Sequence, residues 1–119
     1  MTARETDRVD HPNPSAVIYD HFRGLIASGR LGIGERLPSV RQTAADLGVS
    51  AGTAARAYKQ LERDGLVASR TGAGTRVAAG ASPLPESLVV MIRKLADLTA
   101  REQVDPNDVV TSLRAELNG

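Results

Sequence analysis

Residues 39 to 65 contain two helical patterns separated by a very short corner, and this stretch constrains the fold more than any other. Ser39 precedes Gln42 by three residues, which is the spacing of a capping box at a helix start. Gly48 supplies the left-handed residue on which helices commonly end, and Ser50 offers a new N-cap two residues later. A helix, a glycine-containing turn and a second helix are the pattern of a helix-turn-helix.

The second helix, predicted over residues 51 to 64, has two unlike faces. Apolar residues recur at helical spacing on the inner face, namely Ala54, Ala57, Tyr58 and Leu61. The opposite face begins with small residues and continues with cations, namely Gly52, Thr53, Arg56, Lys59 and Arg63. Small residues allow another large molecule to approach the backbone closely, and cations suit phosphate. This pattern predicts a recognition helix.

The formal net charge of +1 is the sum of two unlike parts. Residues 1 to 80 contain 11 Lys and Arg against 8 Asp and Glu, whereas residues 81 to 119 contain 4 against 6. Positive charge is therefore concentrated around the two predicted helices, as in polyanion-binding proteins. Taken alone, this charge pattern also fits an ordinary solvated face.

Several classes of protein are disfavoured by composition. The chain has no cysteine, and its two histidines, His11 and His21, show no metal-ligand spacing. No apolar run approaches the roughly 20 residues of a membrane span, and no nucleophile, base and orienting group recur at a usable spacing. We therefore expect a cytoplasmic protein that is not an enzyme and has no metal, cofactor or membrane partner.

The segments around the helix-turn-helix complete a small domain. Residues 1 to 14 are polar and predict a flexible N-terminal arm, and a packing helix begins at residues 14 and 15 and ends near Gly29. After the second helix, short apolar segments flank a turn with two glycines, which predicts a hairpin over residues 66 to 77. Directly after a recognition helix, such a hairpin would be a wing with its glycine amides near phosphate.

The C-terminal third predicts a linker over residues 80 to 85 and a helical segment over residues 86 to 118. Asp105 followed by Pro106 is an N-cap and first-position proline that divides this segment into two helices. Their apolar residues cannot form a closed core alone, so we predict a dimerisation surface shared with a second copy. Its residues are Leu88, Met91, Ile92, Leu95, Leu98, Val109, Val110, Leu113 and Leu117.

Several motifs in this order and spacing resemble those of the GntR family of bacterial transcription regulators. They are Leu37-Pro38-Ser39-x-Arg41, Leu47-Gly48-Val49-Ser50-x-x-Thr53, Ala57-Tyr58-x-x-Leu61-Glu62-x-x-Gly65-Leu66 and Ser69-Arg70-x-Gly72-x-Gly74-Thr75-x-Val77. The resemblance covers about residues 15 to 79, and the short C-terminal segment is similar to the YtrA subfamily, whose members carry two dimerising helices.

This resemblance implies a mainly helical α+β fold. A winged helix-turn-helix DNA-binding domain over residues 15 to 79 would be followed by the dimerisation segment. It further implies DNA contacts from Arg41, Ser50, Thr53 and the wing residues 72 to 75. The sequence departs from the family at Ala51, where many members have arginine. Arg56, one turn on from Thr53, then becomes the main candidate to contact a guanine, with a phosphate-only contact as the open alternative.

We therefore predict a homodimeric transcription regulator, specifically a repressor, that binds double-stranded DNA at a pseudo-palindromic operator. Helix 51 to 64 would enter the major groove, and wing residues 70 to 76 would lie at the minor groove. The predicted DNA-binding residues are Arg36, Ser39, Arg41, Ser50, Thr53, Arg56, Lys59, Arg70, Gly72, Gly74 and Thr75. The alternative is a winged-helix protein–protein interaction module without sequence-specific DNA binding. The sequence leaves open whether a small-molecule effector binds.

Overall fold

The computed structural model describes residues 13 to 119. These residues form five helices and a two-stranded antiparallel sheet. In chain order the elements are α1 (Pro14–Ala27), α2 (Val40–Leu47), α3 (Ala51–Arg63), β1 (Val67–Arg70), β2 (Gly74–Val77), α4 (Glu86–Glu102) and α5 (Pro106–Asn118). The chain divides into two compact units, the first ending at Pro83 and the second comprising Leu84–Gly119. The predicted fold class is confirmed.

The predicted N-terminal arm falls mostly outside the described residues. Its last two residues, Asn13 and Pro14, belong to α1 instead, as N-cap and first helical residue. The Asn13 side chain accepts a hydrogen bond from the Ser15 amide at 2.8 Å, which satisfies one of the free amides at the helix start.

The helix-turn-helix corner forms as predicted, with one correction. Ser39 Oγ accepts the amide hydrogen of Gln42 at 3.0 Å, and Gly48 ends α2 with φ of +67°. The second half of the predicted capping box is wrong, because the Gln42 side chain does not accept the amide hydrogen of Ser39 and its Nε2 instead donates to Asp46 Oδ1 at 2.7 Å. The Asp46 carboxylate is a strong acceptor for the Gln42 amide hydrogens, and its i,i+4 position brings it within reach and turns the side chain away from Ser39.

The core of the first unit lies where α1, α2 and the sheet meet the inner face of α3. Ala54, Ala57, Tyr58 and Leu61 are all buried, which confirms the predicted inner face. They belong to one cluster with the buried residues Ile18, Phe22 and Ile26 of α1. The rings of Phe22 and Tyr58 meet edge to face, with centroids 5.5 Å apart. Small alanines on α3 allow α1 to pack closely against it.

The hydroxyl of Tyr58 connects α3 to the beginning of α2. It donates to the carbonyl oxygen of Pro38 at 2.5 Å and lies 2.8 Å from Thr43 Oγ1. Since the phenol has one proton, Thr43 is the donor in the second bond. Burial raises the pKa of Tyr58, so the phenol stays neutral in ordinary buffers. Three polar groups are thus satisfied inside an otherwise apolar core.

The wing is a four-residue antiparallel pairing in which Val67 faces Val77 and Arg70 faces Gly74. Both valines are buried and attach the hairpin to the core. On the other edge of β2, Arg36 forms an isolated bridge with Arg76. Ala81, within the stretch predicted as a linker, is also buried in the core of the first unit.

The second unit consists of α4 and α5. Asp105 caps α5 by accepting the amide hydrogen of Asn107 at 2.9 Å, and Pro106 occupies the first helical position, as predicted. In a single chain, Val89 is the one buried residue of α4, and α5 has no buried residue. A groove of about 580 Å³ lies between the helices and is lined mainly by apolar side chains, including Ile92, Leu95, Val109, Val110 and Leu113. The two helices therefore leave apolar surface uncovered.

We predict that Tyr58→Phe lowers the free energy of unfolding by about 1–3 kcal/mol, because the Pro38 carbonyl and Thr43 hydroxyl lose a buried partner. Chemical denaturation followed by circular dichroism measures the change. Tyr19→Phe is the matched control, since its hydroxyl is bonded at the surface, where water can replace it. Equal losses in the two variants would contradict a special contribution from the buried network.

Candidate nucleic-acid interface

The outer face of α3 is exposed and carries positive charge. Arg56, Lys59 and Arg63 are all exposed, and so is Gly52 in the first turn. These residues lie opposite the buried face of the helix. Because packing of the buried face fixes the orientation of α3, their side chains stay exposed to solvent. The geometry agrees with the predicted amphipathic pattern.

The first turn of α3 is held by side-chain hydrogen bonds. Ser50 Oγ accepts the amide hydrogen of Thr53 at 3.1 Å and lies 2.9 Å from Thr53 Oγ1. From α1, Ser15 Oγ donates to the carbonyl oxygen of Thr53 at 3.0 Å. Ser50 and Thr53 therefore have a structural role beside any contact with a ligand. The role of Ser15, 38 residues earlier in the chain, was not predicted, because no local pattern reveals this pairing.

A concavity of about 340 Å³ lies between the start of α1 and the outer side of α3. Its lining combines polar groups and two cations, namely Asn13, Ser15, Ala16, Tyr19, Arg56, Ala57, Gln60 and Arg63. The surface next to α3 is thus polar and basic, which suits an anionic partner.

The C-terminal end of α3 is tied to α1 through Asp64. The Tyr19 hydroxyl donates to Asp64 Oδ2, and Gln60 Nε2 donates to Asp64 Oδ1 at 3.0 Å. These hydrogen bonds, led by the one from Tyr19, hold the pKa of the Asp64 carboxyl below its usual range. The same bond to Asp64 raises the pKa of Tyr19. Asp64 is therefore a C-terminal anchor of α3, a role that the sequence did not predict.

The predicted residues near the start of α2 are also exposed. Ser39 is the N-cap of α2, and Arg41 is in its first turn. The side-chain oxygen of Ser39 is used in the cap bond. The guanidinium of Arg41, in contrast, does not cap the helix. Arg41 therefore adds a surface cation to the helix-turn-helix.

The wing carries the remaining predicted residues. Arg70 and Gly72 are exposed, and Gly74 and Thr75 are half-buried. Thr75 Oγ1 lies 3.1 Å from Ser69 Oγ on the facing strand. Arg36, which the sequence places before α2, lies against the wing, since its guanidinium contacts Gly74. The structure thereby groups Arg36 with the wing.

Within residues 13 to 119, no group of three or more His, Cys, Asp or Glu side chains is arranged to hold a metal ion. Over the same residues, no helix has both the length and the apolar character needed to cross a membrane.

A helix-turn-helix with an exposed basic second helix, followed directly by an antiparallel hairpin, defines a winged helix-turn-helix domain. Residues 14–77 match the family described as bacterial regulatory proteins, gntR family. The chain therefore belongs to the GntR family of transcription regulators and carries its DNA-binding domain. The resemblance inferred from the motifs is confirmed.

Similar proteins include two curated regulators. The HTH-type transcriptional repressor YtrA of Bacillus subtilis is 33% identical over 88 residues, covering 70% of this chain and 68% of that protein. The HTH-type transcriptional regulator Rv1152 of Mycobacterium tuberculosis is 45% identical over 82 residues, covering 66% and 67%. Among solved structures, AraR(DBD) in complex with operator ORR3 has a TM-score of 0.53 and 28% identity, covering 55% of this chain and 78% of that chain.

We predict that Asp64 titrates below the usual aspartate pKa of about 3.9. Because this folded-state pKa is depressed, its contribution to stability is present above the unfolded value and is lost as pH falls through the folded one. Carboxyl chemical shifts followed by NMR titration measure it. In Tyr19→Phe the pKa of Asp64 should rise towards the ordinary value, and an unchanged titration would argue against the Tyr19 bond as its main cause.

Proposed function

We propose that this chain is a homodimeric transcription repressor that binds a pseudo-palindromic operator. The observation that carries the proposal is the exposed cationic face of α3, held outward by burial of the opposite face. Repression would follow from occupation of promoter DNA. The similar protein YtrA is named as a transcriptional repressor, and the similar AraR domain was solved with its operator, which support this function.

In this proposal α3 enters the major groove. The small residue Gly52 lets the start of the helix approach the base edges, while Thr53 and Arg56 reach towards them. Lys59 follows on the same exposed face and would contact the phosphate backbone. Arg56 is long enough to read a guanine through two hydrogen bonds, and the alternative is that it contacts phosphate only.

Phosphate contacts on either side of α3 would fix the orientation of the domain. Around the corner, Ser39, Arg41 and Ser50 present exposed polar groups. From the wing, the backbone amides of the turn would approach phosphate near the minor groove. The proposed wing contacts come from Arg36, Arg70, Gly72, Gly74 and Thr75.

We propose a second copy of the chain as the partner of α4 and α5. Eight of the nine predicted dimerisation residues are exposed large hydrophobic side chains, and the ninth, Val109, is half-buried. Exposed apolar side chains on both helices and a groove of about 580 Å³ between them are more than a monomer ordinarily leaves to water. A twofold symmetric pair would cover this surface and present two α3 helices to half-sites about 34 Å apart.

DNA recognition is tested with a duplex selected from a random library by the wild-type protein. Arg41→Ala should weaken binding to all duplexes and reduce the slope of log affinity against log salt by about one, because a phosphate contact is lost. Arg56→Ala should cost about 1–3 kcal/mol and relax preference at one position per half-site if Arg56 reads guanine. Fluorescence anisotropy titrations measure both quantities.

Arg30→Ala is the matched control, because Arg30 is an exposed cation of the same unit outside the proposed interface. It should leave affinity and base preference nearly unchanged. If the wild-type protein shows no preference for any selected duplex over a shuffled one at moderate salt, the repressor proposal fails. The protein–protein module would then be the better description.

Dimerisation is tested with a charge introduced into the groove. The wild type should sediment at about twice its chain mass of 12.6 kDa. Leu113→Glu should weaken dimerisation tenfold or more, on the order of 1.4 kcal/mol, because a charge would be buried without a partner. Ser112→Glu adds the same charge at the neighbouring exposed position and should leave the dimer intact. A wild-type monomer at micromolar concentration would refute this arrangement.

A further inference from the structure

The segment before α2 is hydrogen-bonded along the outer edge of the wing. The amide of Leu37 donates to the Thr75 carbonyl at 2.8 Å, and the amide of Val77 donates to the Glu35 carbonyl at 2.9 Å. A third bond runs from the amide of Gly34 to the Val77 carbonyl at 3.0 Å. The backbone of Arg36 is therefore fixed relative to β2.

The guanidinium of Arg36 occupies the space that a side chain at position 74 would take. A Cβ atom added to Gly74 would be 2.7 Å from Arg36 Nε and 3.0 Å from both Cζ and Nη2. Such distances are far inside van der Waals contact, so any side chain at position 74 would displace the guanidinium. Because Arg36 is exposed and has a long side chain, the guanidinium would move aside and the backbone would not have to.

The other glycine of the wing provides a comparison. Gly72 has φ of +80° and Gly74 has φ of +75°, so the two positions have nearly the same backbone conformation. Apart from Gly72 itself and its two chain neighbours, no heavy atom of the described residues lies within 4 Å of a Cβ built on Gly72. Backbone conformation alone explains glycine at position 72, whereas position 74 has a second reason, the contact with Arg36.

The strand register groups further cations with this contact. Arg70 is paired with Gly74, and Arg36 is bridged to Arg76, so the three arginines share one face of the sheet. Arg76 Nη1 donates to the Gly34 carbonyl at 3.1 Å, which keeps that cation against the segment before α2. Three cations on one small face generate a positive potential that favours an anionic partner.

We propose that Gly74 is a positioning residue for Arg36, and that the guanidinium it accommodates contacts a phosphate of the duplex beside the wing. This inference rests on the proposed function, since it assigns a phosphate contact within the same DNA interface. It gives the glycine a role beyond turn formation: the missing side chain leaves room for a cation. Loss of either member of the Arg36–Gly74 pair should remove the same DNA contact.

The experiment is a double-mutant cycle on DNA binding, measured as affinity across a salt series with the selected duplex. The variants are Arg36→Ala, Gly74→Asn and the double variant. Asparagine is used because it adds a Cβ yet tolerates positive φ better than other side chains. The control cycle pairs Arg36→Ala with Gly72→Asn, which has matched φ and open space.

Arg36→Ala and Gly74→Asn should each reduce the salt slope by about one, and the double variant should show no further reduction. The fold-loss of affinity in the double variant should be smaller than the product of the fold-losses in the two single variants, by about threefold or more. In the control cycle the losses should multiply. The inference would be overturned if the losses of affinity in the Gly74 cycle multiplied, or if Arg36→Ala left the salt slope unchanged. Neither result would contradict DNA binding by the wild type.

Arg36→Lys keeps the inference testable if Gly74→Asn unfolds, which thermal denaturation would detect. Lysine retains the charge, so the salt slope should stay near the wild-type value while Arg36→Ala loses about one. If both substitutions leave the slope unchanged, Arg36 has only a structural role and the inference is wrong. Absence of salt-dependent binding by the wild type would instead refute the proposed function itself.

Discussion

Burial of one face of α3 is the constraint on which the first unit depends. Ala54 and Leu61 are fully enclosed, and Tyr58 adds a large ring whose hydroxyl is satisfied by Pro38 and Thr43. An apolar face of this size must be covered, and a partly satisfied phenol in the core would be costly. Together these requirements fix how far α3 is rotated about its axis. The rotation, in turn, determines which side chains remain in water.

Two further contacts restrain the ends of the same helix. Ser15 bonds to the first turn at Thr53, and Tyr19 bonds to Asp64 just beyond the last turn. Both come from α1, so the helix that packs against the centre of α3 also holds its ends. If α3 is the recognition helix, as proposed, these restraints reduce the conformational entropy that it loses on binding, which favours affinity. The packing helix α1 therefore helps to position the proposed interface.

The two units differ in how their apolar residues are used. In the first unit most large apolar side chains are buried or half-buried, whereas α4 and α5 expose many of theirs, including Met91 and Leu117. Stability of the second unit should consequently depend on whatever covers these helices. The sequence indicated this difference, because the apolar arc of residues 88 to 98 is too wide for a solvent-exposed helix. In the proposed dimer, a second copy of the chain supplies that covering surface.

Local signals determined much of this protein. The caps at Ser39, Ser50 and Asp105 and the periodicity of α3 act within a few residues, so the sequence alone located the helices, the corner and the exposed basic face. Tertiary structure decided what depends on distant partners: the bond from Ser15 to Thr53, the Tyr58 network and the contact of Arg36 with Gly74. Even within α2, the Gln42 side chain donates to Asp46 and does not accept the Ser39 amide hydrogen that the capping-box spacing predicted. Spacing reveals which groups can meet locally, whereas only the folded chain brings together groups that are separated by tens of residues.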